Sequence, residues 1–260
     1  MINKILGTVL LIFMLAPNSV ATEVDMVIFP AGEFFMGSEN GKGRRDEHPR
    51  HKVYLDTFFM DKYEVTGKDF EEFLEANPDS HPTITGWHGR KIVPEMVDRP
   101  IFGLTWKRCR EYCRWKGKRL PTEAEWERAA GGTGNRVYPW GNAEPTSETA
   151  NFGRCCFINK GLVLNKVGAQ ESGKTPEGIY DMAGNVAEWV FDWYDKNYYN
   201  SGGYNNPRGP ENGKNHVIRG GAWNSYSGYL RSAHRYGYDD AKDFYGIGCR
   251  CAKSATGGVP

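Results

Sequence analysis

Gly117-Lys-Arg-Leu-Pro-Thr-Glu-Ala-Glu-Trp-Glu127 reads as a corner between two helices. Gly117 suits the left-handed turn that ends a helix, and closes one beginning near Thr105. Pro121 then marks where the next opens, since proline cannot continue the helix before it and sits at the boundary. Thr122 is placed to cap that helix and Glu125, three residues on, to complete a capping box. Trp126 is a core candidate, as are Trp140, Trp189 and Trp193.

Upstream, Val24–Gly37 alternates on either side of Pro30-Ala-Gly and reads as a strand pair. Glu39–Pro49 is charged and glycine-rich, and reads as a mobile loop. Lys52–Phe59 alternates again and fits a half-buried strand. Thr66–Glu75 reads as a helix capped by Thr66, with Phe70, Phe73 and Leu74 as its apolar stripe. Downstream of Gly131 regular structure thins until Val217–Trp223, a β segment, and a closing strand near Gly246–Cys251. With no linker, repeat or break in composition, residues 22–260 read as one domain with few helices and long ordered loops.

The first residues read as an address. Met1–Lys4 carries one positive charge, Ile5–Leu15 is almost continuously apolar, and Ser19-Val-Ala21 is a small-x-small cleavage pattern. That makes residues 1–21 a signal peptide, too short in its apolar run for a span of about 20 residues. The expected location is exported, periplasmic or secreted, with no transmembrane segment after cleavage. Lys plus Arg number 33 against 32 Asp plus Glu, so no field invites nucleic acid or anionic lipid. Eight Trp, 14 Tyr and 13 Phe supply core area in place of long regular elements. In an oxidising compartment the six cysteines are disulfide candidates first.

Six segments together resemble the formylglycine-generating-enzyme (sulfatase-modifying-factor) family. They are Pro30-Ala-Gly-Glu-Phe-Phe-Met-Gly-Ser, Phe59-Met-Asp-Lys-Tyr-Glu-Val-Thr, the corner quoted above, Tyr138-Pro-Trp-Gly, Gly178-Ile-Tyr-Asp-Met-Ala-Gly-Asn-Val-Ala-Glu-Trp-Val and Arg219-Gly-Gly-Ala-Trp-Asn. The resemblance implies a compact α+β fold of C-type-lectin-like type with little regular secondary structure. It also implies that Cys113 and Cys251 are bonded. Cys109 stacks one turn from Cys113, and Cys249 shares a strand face with Cys251, so Cys109–Cys249 is expected as a second, parallel bridge. Another bridge common in the family would need cysteines near Ala129 or Ala130 and near Ser232, where this chain has none.

The resemblance also fails at one place. The oxygen-dependent enzyme of the family holds copper(I) between two thiolates, as soft ligands select that ion. Here Ser225 stands where the first cysteine is expected, and no cysteine lies between Trp223 and Arg235. A hydroxyl replaces neither the metal ligand nor the redox group. Cys155 and Cys156 are adjacent, and read as a strained bridge, a link to a partner, or a relocated redox or metal site.

Calcium is the cofactor the family implies, held by many oxygens. Asp181 and Glu188, with the carbonyls of Gly184 and Val186, match one site; Asn151 and Phe152 match half of another, completed near Asn159. Copper or iron stays open. The candidate pocket is Trp223, Asn224, Ser225, Arg231, His234 and Arg235, with His234 the one ordinary acid–base group. His48 and His51 are weak ligand candidates without a carboxylate or Cys partner. Two functions follow: a pocket that binds a peptide, a glycan, a small molecule or an exported protein, or a divergent oxidoreductase like the pyoverdine-maturation relatives.

Overall fold

The computed structural model describes residues 25–80, 87–88, 91–154, 163–239 and 246–255. In chain order its elements are β1 (Met26–Phe29), β2 (Gly32–Met36), β3 (His51–Leu55), β4 (Phe58–Asp61), α1 (Gly67–Ala76), β5 (Trp87–His88) and β6 (Lys91–Ile92). There follow α2 (Trp106–Trp115), α3 (Glu123–Gly131), β7 (Ala187–Trp193), β8 (His216–Arg219), β9 (Arg235–Tyr238), β10 (Ile247–Gly248) and β11 (Ala252–Ser254). The fold is α+β, with three helices around small curled sheets.

The helix boundaries follow their caps. Thr66 and Asp69 form a capping box on α1, and Thr122 and Glu125 form one on α3. Thr105 accepts from the Arg108 amide to cap α2. Each box satisfies two amide donors that the first turn would leave unpaired. α1 buries Phe70, Phe73 and Leu74, the stripe its spacing predicts.

The strands depart from the simplest sequence reading. β1 and β2 do not pair with each other: β1 pairs antiparallel with β4, and β2 with β3. The turn at Pro30-Ala-Gly therefore hands the chain from one sheet to another. β11 lies on the other side of β4, so the two ends of the described chain meet in one three-stranded sheet. The second sheet runs β10-β7-β8-β9, with β10 parallel to β7 and the others antiparallel. Its central strand, β7, is buried along both faces over most of its length. A strand of this kind lacks the alternation that would announce it.

Trp126 and Trp189 are fully buried and anchor the two main apolar clusters. Burying an indole is worth about 4–6 kcal/mol of transfer free energy. The loop from Glu39 to Pro49 is tied down rather than free, because Asp46 and Glu47 point inward. Asp46 accepts from the Tyr194 hydroxyl at 2.8 Å, and Glu47 takes a two-pronged pair from Arg231 at 2.7 Å on each oxygen. Among the described residues no helix is long and apolar enough to cross a membrane.

Candidate functional site

The end of β2, the loop after it, the C-terminal end of α3 and the segment 231–233 enclose a cavity of about 220 Å3. Lys42, Arg50, Arg136 and Arg231 line it, with Glu39 and Glu127 as the acids among its walls. Gly131, the last residue of α3, faces Ser232 at its floor: a Cβ on Gly131 would lie 3.5 Å from the Ser232 Cβ. Gly132 sits at φ +68°, and a Cβ there would meet the Arg136 guanidinium at 2.4 Å. Only glycine allows both that backbone and that contact.

The guanidinium groups are held by neighbours. Arg50 bonds Asn135 at 3.0 Å and Glu39 at 3.3 Å, and stacks over Phe35 at 4.7 Å from its centroid. Arg136 bonds Glu177 at 2.9 Å and the Ala130 carbonyl at 3.2 Å. Although burial works against its charge, Glu47 is kept below the usual carboxylate range by Arg231 and the Ser38 hydroxyl.

Behind the cavity lies a buried ionic layer. Glu123 pairs with Arg235 through both oxygens at 2.7 Å and with Arg219 at 3.1 Å. Arg219 also pairs with Glu127, whose other oxygen accepts from the Gly37 amide. Burial pushes the Glu127 carboxyl up, partly offset by Arg219. Burial, then the nearby Glu123 charge, pushes Asp192 well above the carboxylate range. Arg219, Arg235 and Arg250 are fully buried, so each needs its carboxylate to remain there.

The six residues singled out in the sequence do not converge on one pocket. Arg231 lines the cavity. Arg235 is locked in the ionic layer, Trp223 is core, and Asn224 is exposed. Ser225 makes a turn in which its hydroxyl accepts from the Ala222 amide at 2.9 Å. His234 is buried against the Tyr229 ring, and its Nε2 has no partner among the described residues. Burial, with Arg231 and Arg219 adding to it against Glu47, pushes His234 down to about 4. The six residues part because β9 turns Arg235 inward while Arg231 stays on the cavity wall. Arg50, Arg136 and Ser232, which the sequence reading did not place in a pocket, line the cavity from three separate segments.

At the carboxylate motif, Glu188 takes Arg250 through both oxygens and the Trp126 indole N–H at 2.8 Å. The Val186 amide and the Asn185 side chain instead donate to Glu64. Burial and the charges of Asp181 and Glu188 push Glu64 well up, and burial pushes Asp181 to about 6. Three buried carboxylates thus face one arginine, and Asp181 fits an oxygen-seeking cation in charge. Glu188 is already neutralised. Asn151 also fits, since its Oδ1 is buried without a partner, while its amide donates to the Val163 carbonyl and Asn185. Gly184, at φ +80°, lets the chain pass close to the Asn151 carbonyl. Among the described residues no group of three or more His, Cys, Asp and Glu side chains is placed around a common metal position. His48 and His51 bond separate backbone carbonyls, of Lys42 and Pro49.

Cys113 and Cys251 are joined, with Cα atoms 5.6 Å apart. Cys109 and Cys249 are buried thiols that hydrogen-bond each other rather than a second bridge. The two pairs still stack side by side as the spacing predicts, since Cys109 touches Cys249, but only Cys113 and Cys251 are bonded. Cys155, Cys156 and Asn159 lie outside the described residues, as does the segment 1–21.

The family described as "Sulfatase-modifying factor enzyme 1-like domain" matches residues 13–255. The chain belongs to the sulfatase-modifying-factor family. It is 37% identical over 254 residues to the serine/threonine-protein kinase pkn1 of Chlamydia pneumoniae, covering 92% of this chain but only 39% of that relative's length. It is 32% identical to the formylglycine-generating enzyme of Mus musculus, over 87% of this chain and 74% of that one. Among solved structures, PvdO from Pseudomonas aeruginosa superposes with a TM-score of 0.72 and 26% identity, covering 88% and 94% of the two chains. The sulfatase-modifying-factor fold accounts for the sparse regular structure: three capped helices and small sheets of two to four strands carry long loops.

Proposed function

We propose that this sulfatase-modifying-factor-type chain is an exported binding module that does not perform thiol oxidation of the sulfatase-activating kind. Ser225 carries the reading. It occupies the place of a thiol in Arg219-Gly-Gly-Ala-Trp-Asn-Ser225, and its hydroxyl is spent on the Ala222 amide. A hydroxyl so engaged supplies no soft ligand for copper. His234, held neutral at pH 7 by burial, has no nucleophile bonded to it among the described residues. Retained cavities and braced loops suit recognition of a peptide or small molecule. Structural calcium is assigned to two separate places, one at Asp181 on its excess of buried carboxylates and one at Asn151 on its unpartnered oxygen.

The test is incubation of mature protein with copper, oxygen and a cysteine-containing peptide, followed by mass spectrometry. The expected product is unmodified peptide or its simple disulfide. Conversion of the cysteine to an aldehyde would overturn the reading and favour divergent oxidative chemistry.

A further inference from the structure

We propose that the cavity at the end of α3 is a site for a small ligand carrying an oxyanion group, held by Arg50, Arg136 and Ser232. The proposal rests on the binding-module reading and deepens it. Its warrant is a coincidence of unmet hydrogen bonds. Arg50 Nε, Arg136 Nε and Ser232 Oγ are all buried, all able to donate, and without a partner among the described residues; their three residues line the same cavity. A buried donor left unpaired costs about 1–3 kcal/mol, so three around one space are a cost that an acceptor in that space would remove. Ser232 itself is only 2% exposed, so the wall of this cavity is where its hydroxyl can meet an acceptor.

The charge balance selects an oxyanion over a neutral acceptor. Lys42, Arg50, Arg136 and Arg231 line the cavity against Glu39 and Glu127. Glu127 is paired with Arg219; Glu39 is shared between Lys42 and Arg50, Arg136 pairs with Glu177 and Arg231 with Glu47, so four cations meet three carboxylates and one positive charge is left over. The remaining N–H groups of Arg50 and Arg136 are fixed by Asn135, Glu177 and the Ala130 carbonyl. Each planar fork is therefore oriented before a ligand arrives, which lowers the ordering cost of binding. Phe35 adds an apolar wall under Arg50. At about 220 Å3 the space suits a ligand the size of one amino acid or one sugar, below the range of drug-sized pockets.

The experiment is calorimetry, with NMR of the arginine Nε–Hε signals, on the full mature chain. N-acetylglutamate and glucose 6-phosphate are the oxyanion probes, and glucose is the uncharged control. At least one oxyanion probe is expected to bind with a dissociation constant below about 1 mM and to shift the Arg50 and Arg136 signals. Binding by one probe alone identifies carboxylate or phosphate as the source. Arg136→Gln should weaken it by about ten- to a hundredfold, the loss of one charged hydrogen bond. Gly134→Leu should abolish it without unfolding, because Gly134 lines the cavity and a Cβ there meets nothing within 4 Å. Failure of both probes, glucose binding as tightly as its phosphate, or full affinity in Gly134→Leu would each overturn the proposal. A chain that oxidises the thiol peptide yet binds a probe would overturn the binding-module reading and leave this site standing.

Discussion

The floor of the cavity permits a covalent test of the placement of α3 against the segment 231–233. In the double variant Gly131→Cys/Ser232→Cys the Cβ atoms would be 3.5 Å apart, at the near edge of the 3.5–4.5 Å range of disulfides. Gly131 has no left-handed backbone, so a side chain there carries no conformational strain. The loop closed is about 101 residues by sequence, but only about 37 by the route through the existing Cys113–Cys251 bridge, so chain entropy gives about 4 kcal/mol rather than nearly 5. Loss of the Ser232 hydroxyl forfeits no hydrogen bond among the described residues. For a domain of this size the midpoint should rise by roughly 8–16 °C. The assay is thermal unfolding with and without reductant, with the bridge mapped by mass spectrometry to exclude exchange with Cys109 and Cys249. A variant whose two new thiols stay free, or whose bridge forms with no gain in midpoint, would refute the placement. The same bridge should also close the oxyanion site.

Asp181→Asn should show a crossing effect in thermal unfolding. Burial raises Asp181 to about 6 in the fold, against about 4 unfolded, so its protonated form favours folding below pH 4 and that advantage is lost as pH rises to 6, about 3 kcal/mol in all. With chelator at pH 7 the variant should therefore be as stable as the parent or more so; with calcium it should be less stable, and greater stability in both conditions would exclude an ion there. His234 has the opposite sign: its folded value of about 4 lies below the unfolded 6.5, so its burial costs about 3 kcal/mol progressively as pH falls from 6.5 to 4. His234→Phe should gain on the parent over that window, measured as the midpoint difference against pH; a constant difference would contradict a buried neutral imidazole. Glu123→Gln leaves Arg235 buried without its two-pronged carboxylate, and should cost about 3–5 kcal/mol, or roughly 10 °C in midpoint. A thermal midpoint unchanged from the parent would show that Arg235 does not depend on Glu123 for its place in the core.

What the sequence made legible was local. Thr66, Thr105 and Thr122 announce their helices because a cap is a side chain acting within three residues. β7 was hidden, since burial on both faces removes the alternation that marks a strand. The pairing of β1 with β4, about thirty residues on, carries no local signal, and adjacency suggested β2 instead. Arg219, Arg235 and Arg250 look like solvated surface in one dimension and are fully buried in three, because Glu123, Glu127 and Glu188 wait for them. The cavity is the clearest case. Arg50, Arg136 and Ser232 come from three separate segments, and the missing cysteine at Ser232 was read as a lost bridge when it also leaves an unpartnered hydroxyl on the cavity wall.

The most direct measurement of the central claim is copper(I) retention by the mature protein against a competing chelator, with oxygen uptake followed in the presence of a thiol peptide. Copper should be surrendered, and oxygen uptake should stay at the rate without protein. Stoichiometric copper held against the chelator, with peptide-dependent oxygen uptake, would contradict it and place an oxidative centre in this chain despite Ser225.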